Sequence, residues 1–144
     1  MVFSLGDWHR QYLESLEKEF SNNPHLRKKY EIKNFNKGRL YLPDWKGIKR
    51  KEILSNPDML LVDNKDHTPE YVLELEYNVN YKKLVGIALL TDMAVGKMKT
   101  HKKPTLMLII RKGFPNSEFI EREIKAYIRN IEFKLFTTET FKSL

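Results

Sequence analysis

The chain has 144 residues, enough for one domain with a substantial core, and 41% of them are hydrophobic, which excludes a disordered chain. It has no cysteine, which excludes disulfides and thiolate metal sites. The net charge of +7 fits a polyanionic partner such as nucleic acid. No apolar run is long enough to span a membrane, and the first residues do not resemble a signal peptide. We therefore expect a single cytoplasmic domain over residues 1–144 that does not enter a membrane.

The first predicted element is an amphipathic helix from about Ser4 to Phe20. Its apolar residues recur at three- and four-residue steps and predict a core-facing stripe of Leu5, Trp8, Tyr12, Leu16 and Phe20. Glu14 and Glu17 lie beside this stripe, where most glutamates are solvated and some reach a functional site. The sequence Asn22-Asn23-Pro24 ends the helix.

The segment from His25 to Lys51 carries weaker signals. Tyr30 to Phe35 alternates in part, as an edge strand or a loop would, and Arg39 to Leu42 is a better candidate for a strand. Asp44 to Gly47 is typical of a turn, with Trp45 as a candidate for stacking on a base. Two interpretations stay open for the basic run that follows, a solvated surface segment or a DNA-binding loop made by Lys46, Lys49, Arg50 and Lys51.

Two apolar, β-prone runs flank a loop of turn-forming residues and predict a β-hairpin, with strands from Pro57 to Asp63 and from Glu70 to Tyr77. We expect Asp63 to face Pro69 across the loop. Antiparallel pairing then places Asp58 opposite Glu74, on the same side of the sheet. Strand alternation adds Glu76 to that side, while Leu73 and Leu75 point to the other.

Three carboxylates at this spacing repel one another, and burying them is costly unless a cation compensates their charge. Hard oxygen ligands suit Mg²⁺ or Mn²⁺, and the backbone carbonyl of Leu75, between the glutamates, offers another oxygen. Such an ion neutralises a phosphodiester and generates hydroxide from water. Glu76 is placed to act as the general base.

After the hairpin, Asn80 is a candidate N-cap for a helix from Tyr81 to about Lys99. Lys82 and Lys83 occupy its first turn, where cations oppose the helix dipole. This placement suggests an anionic neighbour, which could be the hairpin glutamates or a phosphate. Asp92 is interpreted as an acid on the helix surface.

The continuous apolar run from Pro104 to Ile110 predicts a strand buried on both faces. A helix from Ser117 to about Ile128 follows, and its predicted inward residues are Phe119, Ile120, Ile124 and Tyr127. A half-exposed strand from Asn130 to Thr138 completes the chain. This order predicts an α/β fold with a mixed sheet and helices on both faces.

Pro57-Asp58 and Glu74-Leu75-Glu76, separated by a hairpin and followed by a helix and a buried strand, resemble the PD-(D/E)XK nuclease superfamily. It includes type II restriction enzymes and archaeal Holliday junction resolvases. The resemblance implies a restriction endonuclease-like fold, with Asp58 and Glu74 as metal-binding carboxylates. Glu76 stands where the family most often has a lysine, a role that Lys82 or Lys83 could take over in space. Family members also often bring a glutamate from the first helix, here Glu14 or Glu17, near the metal.

Three functions remain open. The first is a metal-dependent endonuclease that cuts DNA as a homodimer, with the segment from Ser117 to Thr138 as the expected dimer surface. The second is a catalytically degenerate nucleic-acid-binding or assembly module on the same fold, and the third is a basic protein-interaction domain. A structural alternative places Glu74 and Glu76 on an exposed face, paired with lysines. The four histidines show no ligand spacing, and Asp63 and Asp66 are interpreted as turn residues.

Overall fold

The computed structural model describes residues 5–43, 53–98, 100–142 and 144, and of Leu5 only the backbone. Trp45 and the basic run of Lys46, Lys49, Arg50 and Lys51 lie outside the described residues. The elements in chain order are α1 (Leu5–Asn22), α2 (Pro24–Lys29), β1 (Tyr30–Asn34), β2 (Met59–Asp63), β3 (Pro69–Glu76), α3 (Tyr81–Met98), β4 (Thr105–Ile110), α4 (Ser117–Tyr127) and β5 (Glu132–Thr137). None of the helices described by the structure combines the length and the apolar character that crossing a membrane requires.

The strands form one open sheet in the order β1-β2-β3-β4-β5. The pairs β1–β2 and β2–β3 are antiparallel, whereas β3–β4 and β4–β5 are parallel. Each parallel pair is connected through a helix, α3 or α4, as parallel strands require. The prediction of an α/β fold with a mixed sheet is therefore confirmed.

The two faces of the sheet pack against different helices, as expected. Helices α3 and α4 cover one face, where their buried side chains meet Leu60, Val72 and Leu108. Helices α1 and α2 cover the other face over Leu61 and Leu73. Strand β4 is buried on both faces, which confirms the meaning of its continuous apolar run.

The hairpin is present, but its tip pairs one residue away from the expected register. Asp63 donates its N–H to the Thr68 carbonyl at 2.9 Å, so it faces Thr68 and not Pro69. The register shifts between Leu61 and Val62, and Glu70 is the extra residue of the resulting bulge. The bulge cancels the offset, and Met59 pairs with Leu73 as expected.

The strand predicted over Arg39 to Leu42 is wrong. Only Leu42 pairs there, in an isolated antiparallel bridge to Ser55. Pro43 follows directly and has no N–H to extend a ladder. Before β1, Pro24 starts the short helix α2, which the weak signals of this segment did not predict; the Asn23 side chain caps it by accepting hydrogen bonds from the N–H groups of His25 and Leu26.

Two predictions about helix faces are also wrong. Phe119 and Tyr127 of α4 are 53% and 73% exposed, because this short helix packs through a narrower stripe of Ile120, Ile124 and Ile128. Asp92 of α3 is buried, not a surface acid. Its Oδ1 accepts the N–H groups of Arg129 and Asn130 at 3.0 and 2.6 Å, which fixes the chain between α4 and β5.

Candidate active site

The candidate site lies at one end of the central hairpin, where β2 begins and β3 ends. Asp58 immediately precedes β2, and its backbone is held on both sides. Its N–H donates to the Leu73 carbonyl at 3.1 Å, and its carbonyl accepts from the Phe35 N–H at 2.9 Å. The backbone that carries the Asp58 side chain is therefore fixed by both neighbouring segments.

Asp58 is 8% exposed, and each oxygen of its carboxylate has a partner. Oδ2 accepts the Leu75 N–H at 2.8 Å. Oδ1 lies 2.9 Å from Nε2 of His9, on α1. The side chain is thus aimed at the end of β3, next to the glutamates of that strand.

Glu74 is buried among other carboxylates. Burial raises the pKa of Glu74 well above its usual value, and the nearby charges of Asp58 and Glu76 raise it further. Lys83 offsets this only in part. The structure thus brings Asp58, Glu74 and Glu76 together, as the hairpin register predicted, and the alternative with Glu74 on an exposed sheet face is wrong.

Of the two lysines that open α3, only Lys83 reaches the acidic residues. Its Nζ lies 2.8 Å from Oε2 of Glu76. Lys82 is exposed, and within the described part of the chain it forms no ion pair. Because Asn80 caps the helix by accepting the Lys83 N–H at 2.8 Å, the start of α3 is fixed beside the end of β3.

The glutamates of α1 do not join the cluster through any hydrogen bond or ion pair among the described residues. Glu14 is exposed. Glu17 is engaged elsewhere, with Oε2 2.6 Å from Nδ2 of Asn34 and Oε1 2.6 Å from Nζ of Lys37. Helix α1 contributes His9 to the cluster instead.

His9 was not singled out from the sequence, although a signal was present. It precedes Leu13, Leu16 and Phe20, the buried residues of α1, at helical spacing. Trp8 and Tyr12, which the predicted stripe favoured, are only half-buried. The hydrogen bond to Asp58 raises the pKa of His9, with help from the charges of Asp58 and Glu76 and against an opposing effect of burial.

A cleft of about 270 Å³ opens beside these groups, between the start of α1, the end of β3 and the start of α3. Its polar lining includes His9, Glu76, Asn78 and Lys83. Trp8 and Tyr77 supply the aromatic part of its wall. The cleft therefore combines acids, cations and aromatic rings in one accessible space.

Asp58, Glu74 and the Leu75 carbonyl are the groups here that could hold a divalent ion. Their oxygens are of the hard type that Mg²⁺ and Mn²⁺ prefer. The Leu75 N–H points to Asp58, and in a strand the carbonyl of the same residue points the same way. In this conformation, however, no group of three or more His, Asp or Glu side chains among the described residues is arranged to hold a metal. An ion on Oδ1 of Asp58 would compete with His9 for that oxygen.

Comparisons with protein-family models, curated proteins and solved structures returned no match. The geometry of the site therefore carries the functional inference.

Proposed function

We propose that the protein is a metal-dependent endonuclease that hydrolyses DNA phosphodiester bonds at Asp58, Glu74 and Glu76. One observation carries the proposal: Glu74 is buried against two other carboxylates, and its pKa is raised. Such an arrangement opposes folding unless a cation balances it, and groups with strongly shifted pKa values concentrate at functional sites.

Asp58 and Glu74, with the Leu75 carbonyl, are the proposed ligands of Mg²⁺ or Mn²⁺. When bound, the ion neutralises the phosphodiester, lowers the pKa of a water molecule and stabilises the leaving oxygen. The buried position of the two carboxylates excludes competing water and strengthens their attraction for a cation.

The remaining groups of the cluster have distinct roles in the proposal. Glu76 borders the cleft and accepts a proton from the attacking water. Lys83, 2.8 Å from Glu76, orients that carboxylate and offers a positive charge to the substrate phosphate. His9 orients Asp58 through the 2.9 Å contact to Oδ1.

The order of elements around the site supports a restriction endonuclease-like fold. Asp58 precedes the second strand of the sheet, Glu74 and Glu76 end the third, and α3 leads into the buried parallel strand β4. The resemblance to the PD-(D/E)XK superfamily implies this arrangement. Lys83 supports the proposal that a lysine from the helix compensates for Glu76 at the position where the family most often has lysine.

DNA is the proposed partner, and the net charge of +7 supports a polyanion. A cytoplasmic homodimer would place two such sites on the two strands of a duplex. The proposed dimer surface is the segment from Ser117 to Thr138, since Phe119 and Tyr127 are exposed on α4 and β5 is an edge strand.

The test is a cleavage assay on plasmid and branched DNA with Mg²⁺, Mn²⁺ or EDTA. We expect cleavage only with metal, and a loss of at least about 100-fold in Asp58→Asn and Glu74→Gln, which keep the side-chain volume. Asp63→Asn, at the opposite end of β2, is the matched control and should cut normally. Cleavage in EDTA, or full activity in both site variants, would contradict the proposal.

A second candidate is a module that binds nucleic acid without cutting it. Its support is that His9 and Lys83 engage Asp58 and Glu76, as in a site converted to ion pairs. This candidate predicts salt-sensitive DNA binding, no cleavage with either metal, and the same affinity in Asp58→Asn.

A further inference from the structure

A row of three aromatic rings and one guanidinium group in mutual contact adjoins the acidic cluster. The rings of Trp8 and Tyr12 stack with centroids 5.6 Å apart and planes 14° apart. Trp8 meets Tyr77 edge to face at 5.4 Å. The guanidinium carbon of Arg111 lies 4.4 Å from the Tyr77 ring centroid, and Arg111 also donates a hydrogen bond to the Tyr77 hydroxyl. We call these four residues the aromatic platform.

The platform is tied to the strand that carries the glutamates. Tyr77 directly follows Glu76, and Arg111 directly follows β4. The Arg111 N–H donates to the Glu76 carbonyl at 3.2 Å, which continues the parallel register by one residue. Trp8 precedes His9 on α1. Trp8 and Tyr77 are therefore sequence neighbours of His9 and Glu76, and Arg111 is hydrogen-bonded to Glu76.

Core packing accounts for only part of the surface of Trp8 and Tyr12, which lie at the edge of the core under α1. Phe20 and Leu13 of the same helix are fully buried, whereas Trp8 and Tyr12 keep part of their surface exposed. Trp8 and Tyr77 line the cleft together with Glu76 and Lys83. Aromatic rings beside acids and a lysine match the parts of a nucleotide, which are a base with a π face and a phosphate.

We infer that the aromatic platform binds an unpaired nucleobase next to the phosphate at the acidic site. Within a continuous duplex, each base is covered on both faces by its neighbours and cannot stack on a protein ring. The substrate class that follows is DNA with unpaired bases, such as single strands, flaps and branch points. As a statement about cleavage this rests on the proposed function, whereas as a statement about binding it stands alone.

The binding experiment uses the full chain with Asp58→Asn, in EDTA, so that no DNA is cut. A labelled oligothymidine and the same strand annealed to its complement are compared by fluorescence anisotropy at one salt concentration. We expect the single strand to bind more tightly, and Tyr77→Leu and Trp8→Leu to weaken single-strand binding by about 5- to 150-fold, the range measured for losing one base stack. Tyr81→Leu, an exposed tyrosine that contacts Phe114, is the matched control and should not change it.

A second readout reports the platform directly and guards against a folding defect. The chain has two tryptophans, so Trp45→Phe leaves Trp8 as the only one. Oligothymidine should quench its emission saturably, with the same midpoint as an anisotropy titration of the same Trp45→Phe chain, and the duplex should quench it much less. Equal quenching by both DNAs, or unchanged binding in both Trp8→Leu and Tyr77→Leu, overturns the inference.

Cleavage separates this inference from the proposed function. If the wild type cuts flap DNA faster than duplex and Tyr77→Leu removes that preference, both are supported. If it cuts DNA but Tyr77→Leu leaves the preference unchanged, the inference fails and the nuclease stands. If no DNA is cut while Trp8 is quenched by the single strand, the nuclease fails and the binding site stands.

Discussion

Strand β2 has a buried aspartate at each end, and the two are in opposite electrostatic situations. Asp63, 3% exposed, accepts the Lys65 N–H at 2.7 Å and lies 3.2 Å from Nζ of Lys102. The Lys65 hydrogen bond and then Lys102 lower the pKa of Asp63. Asp58, 8% exposed, instead faces Glu74. Burial and the neighbouring carboxylates raise the pKa of Glu74.

The fold stabilises the charge of Asp63, whereas the acids at the other end of β2 destabilise one another. The turn after β2 supplies hydrogen-bond donors to the Asp63 carboxylate. Replacing Asp63 should therefore lower stability without affecting a functional site. Among the described residues, the Asp58 end concentrates three carboxylates, and ion pairs to His9 and Lys83 are what offsets them. A protein that keeps such an unfavourable cluster is expected to gain function from it, as strained active sites do.

The size of the adjoining cleft does not identify the end of β2 that carries the acidic cluster. The larger cleft, about 450 Å³, lies at the Asp63 end, where Lys28, Lys65 and Lys102 line it together with Asp63. That cleft is basic and contains no second carboxylate. The smaller cleft at the Asp58 end carries the acids, so the chemistry of the lining marks the site.

The largest expected difference between the ends is in catalysis. Lys83→Ala and Lys102→Ala each remove the lysine of one carboxylate–lysine pair. Lys83→Ala should lower the cleavage rate about 10- to 100-fold, because it removes the charge and the orientation of Glu76. Lys102→Ala should cut within about threefold of the wild type in the same assay. Equal losses in the two variants would mean that the lysines act only through overall charge.

Metal binding should sharpen the contrast further. Mn²⁺ at about 100 times its dissociation constant stabilises a protein with one site by about 2.7 kcal/mol, which is roughly 10 °C in Tm for a chain of this size. We expect this shift in the wild type and in Asp63→Asn. It should vanish in Glu74→Gln, measured by differential scanning fluorimetry against EDTA. A shift retained in Glu74→Gln would place the bound ion elsewhere.

Without metal, replacing the two kinds of acid should change stability in opposite directions. Glu74→Gln should stabilise the protein at neutral pH by on the order of 1 kcal/mol, because it removes an acid whose ionisation is opposed by burial and by two neighbouring carboxylates. Asp63→Asn should lower Tm, because it weakens the contact with Lys102 and the turn. Thermal unfolding in EDTA measures both. A loss of stability in both variants would remove the distinction between the ends.

The smallest expected effect is on the pH dependence of stability. Since the folded pKa of Glu74 is raised, its contribution is complete below the usual value of 4.5 and is lost as the pH rises through the raised pKa. Asp63 has a lowered pKa, so its contribution is present above 3.8 and is lost as the pH falls. In EDTA, Glu74→Gln should flatten the decline above pH 4.5, and Asp63→Asn should flatten the loss at acid pH.

The sequence predicts most of the fold because local patterns decide it. Single segments are enough to predict the continuous apolar run of β4, the loop between β2 and β3, and the stripe of α1. The strand expected over Arg39 to Leu42 failed because a strand needs a partner, which no local pattern reveals. The predicted inward face of α4 was wrong because the width of the buried stripe depends on how closely the helix packs against the sheet, which is a tertiary property.

In the candidate site, the sequence likewise predicts the contacts that strand pairing determines but not those that helix packing determines. Asp58 and Glu74 meet because β-pairing fixes them, even though the tip of the hairpin is shifted and the Glu70 bulge restores the register. The contacts of His9 and Lys83 depend on how α1 and α3 are rotated on the sheet. One residue of rotation decides between Lys82 and Lys83, and the sequence pattern does not resolve that difference.

The most direct test of the account is a crystal of the protein soaked in Mn²⁺ and measured for anomalous scattering. We expect a peak between Asp58 and Glu74, with carboxylate oxygens of both at about 2.0–2.3 Å and with His9 Nε2 no longer bound to Asp58 Oδ1. An empty site between these two carboxylates at saturating Mn²⁺, with the His9–Asp58 contact still in place, would contradict it.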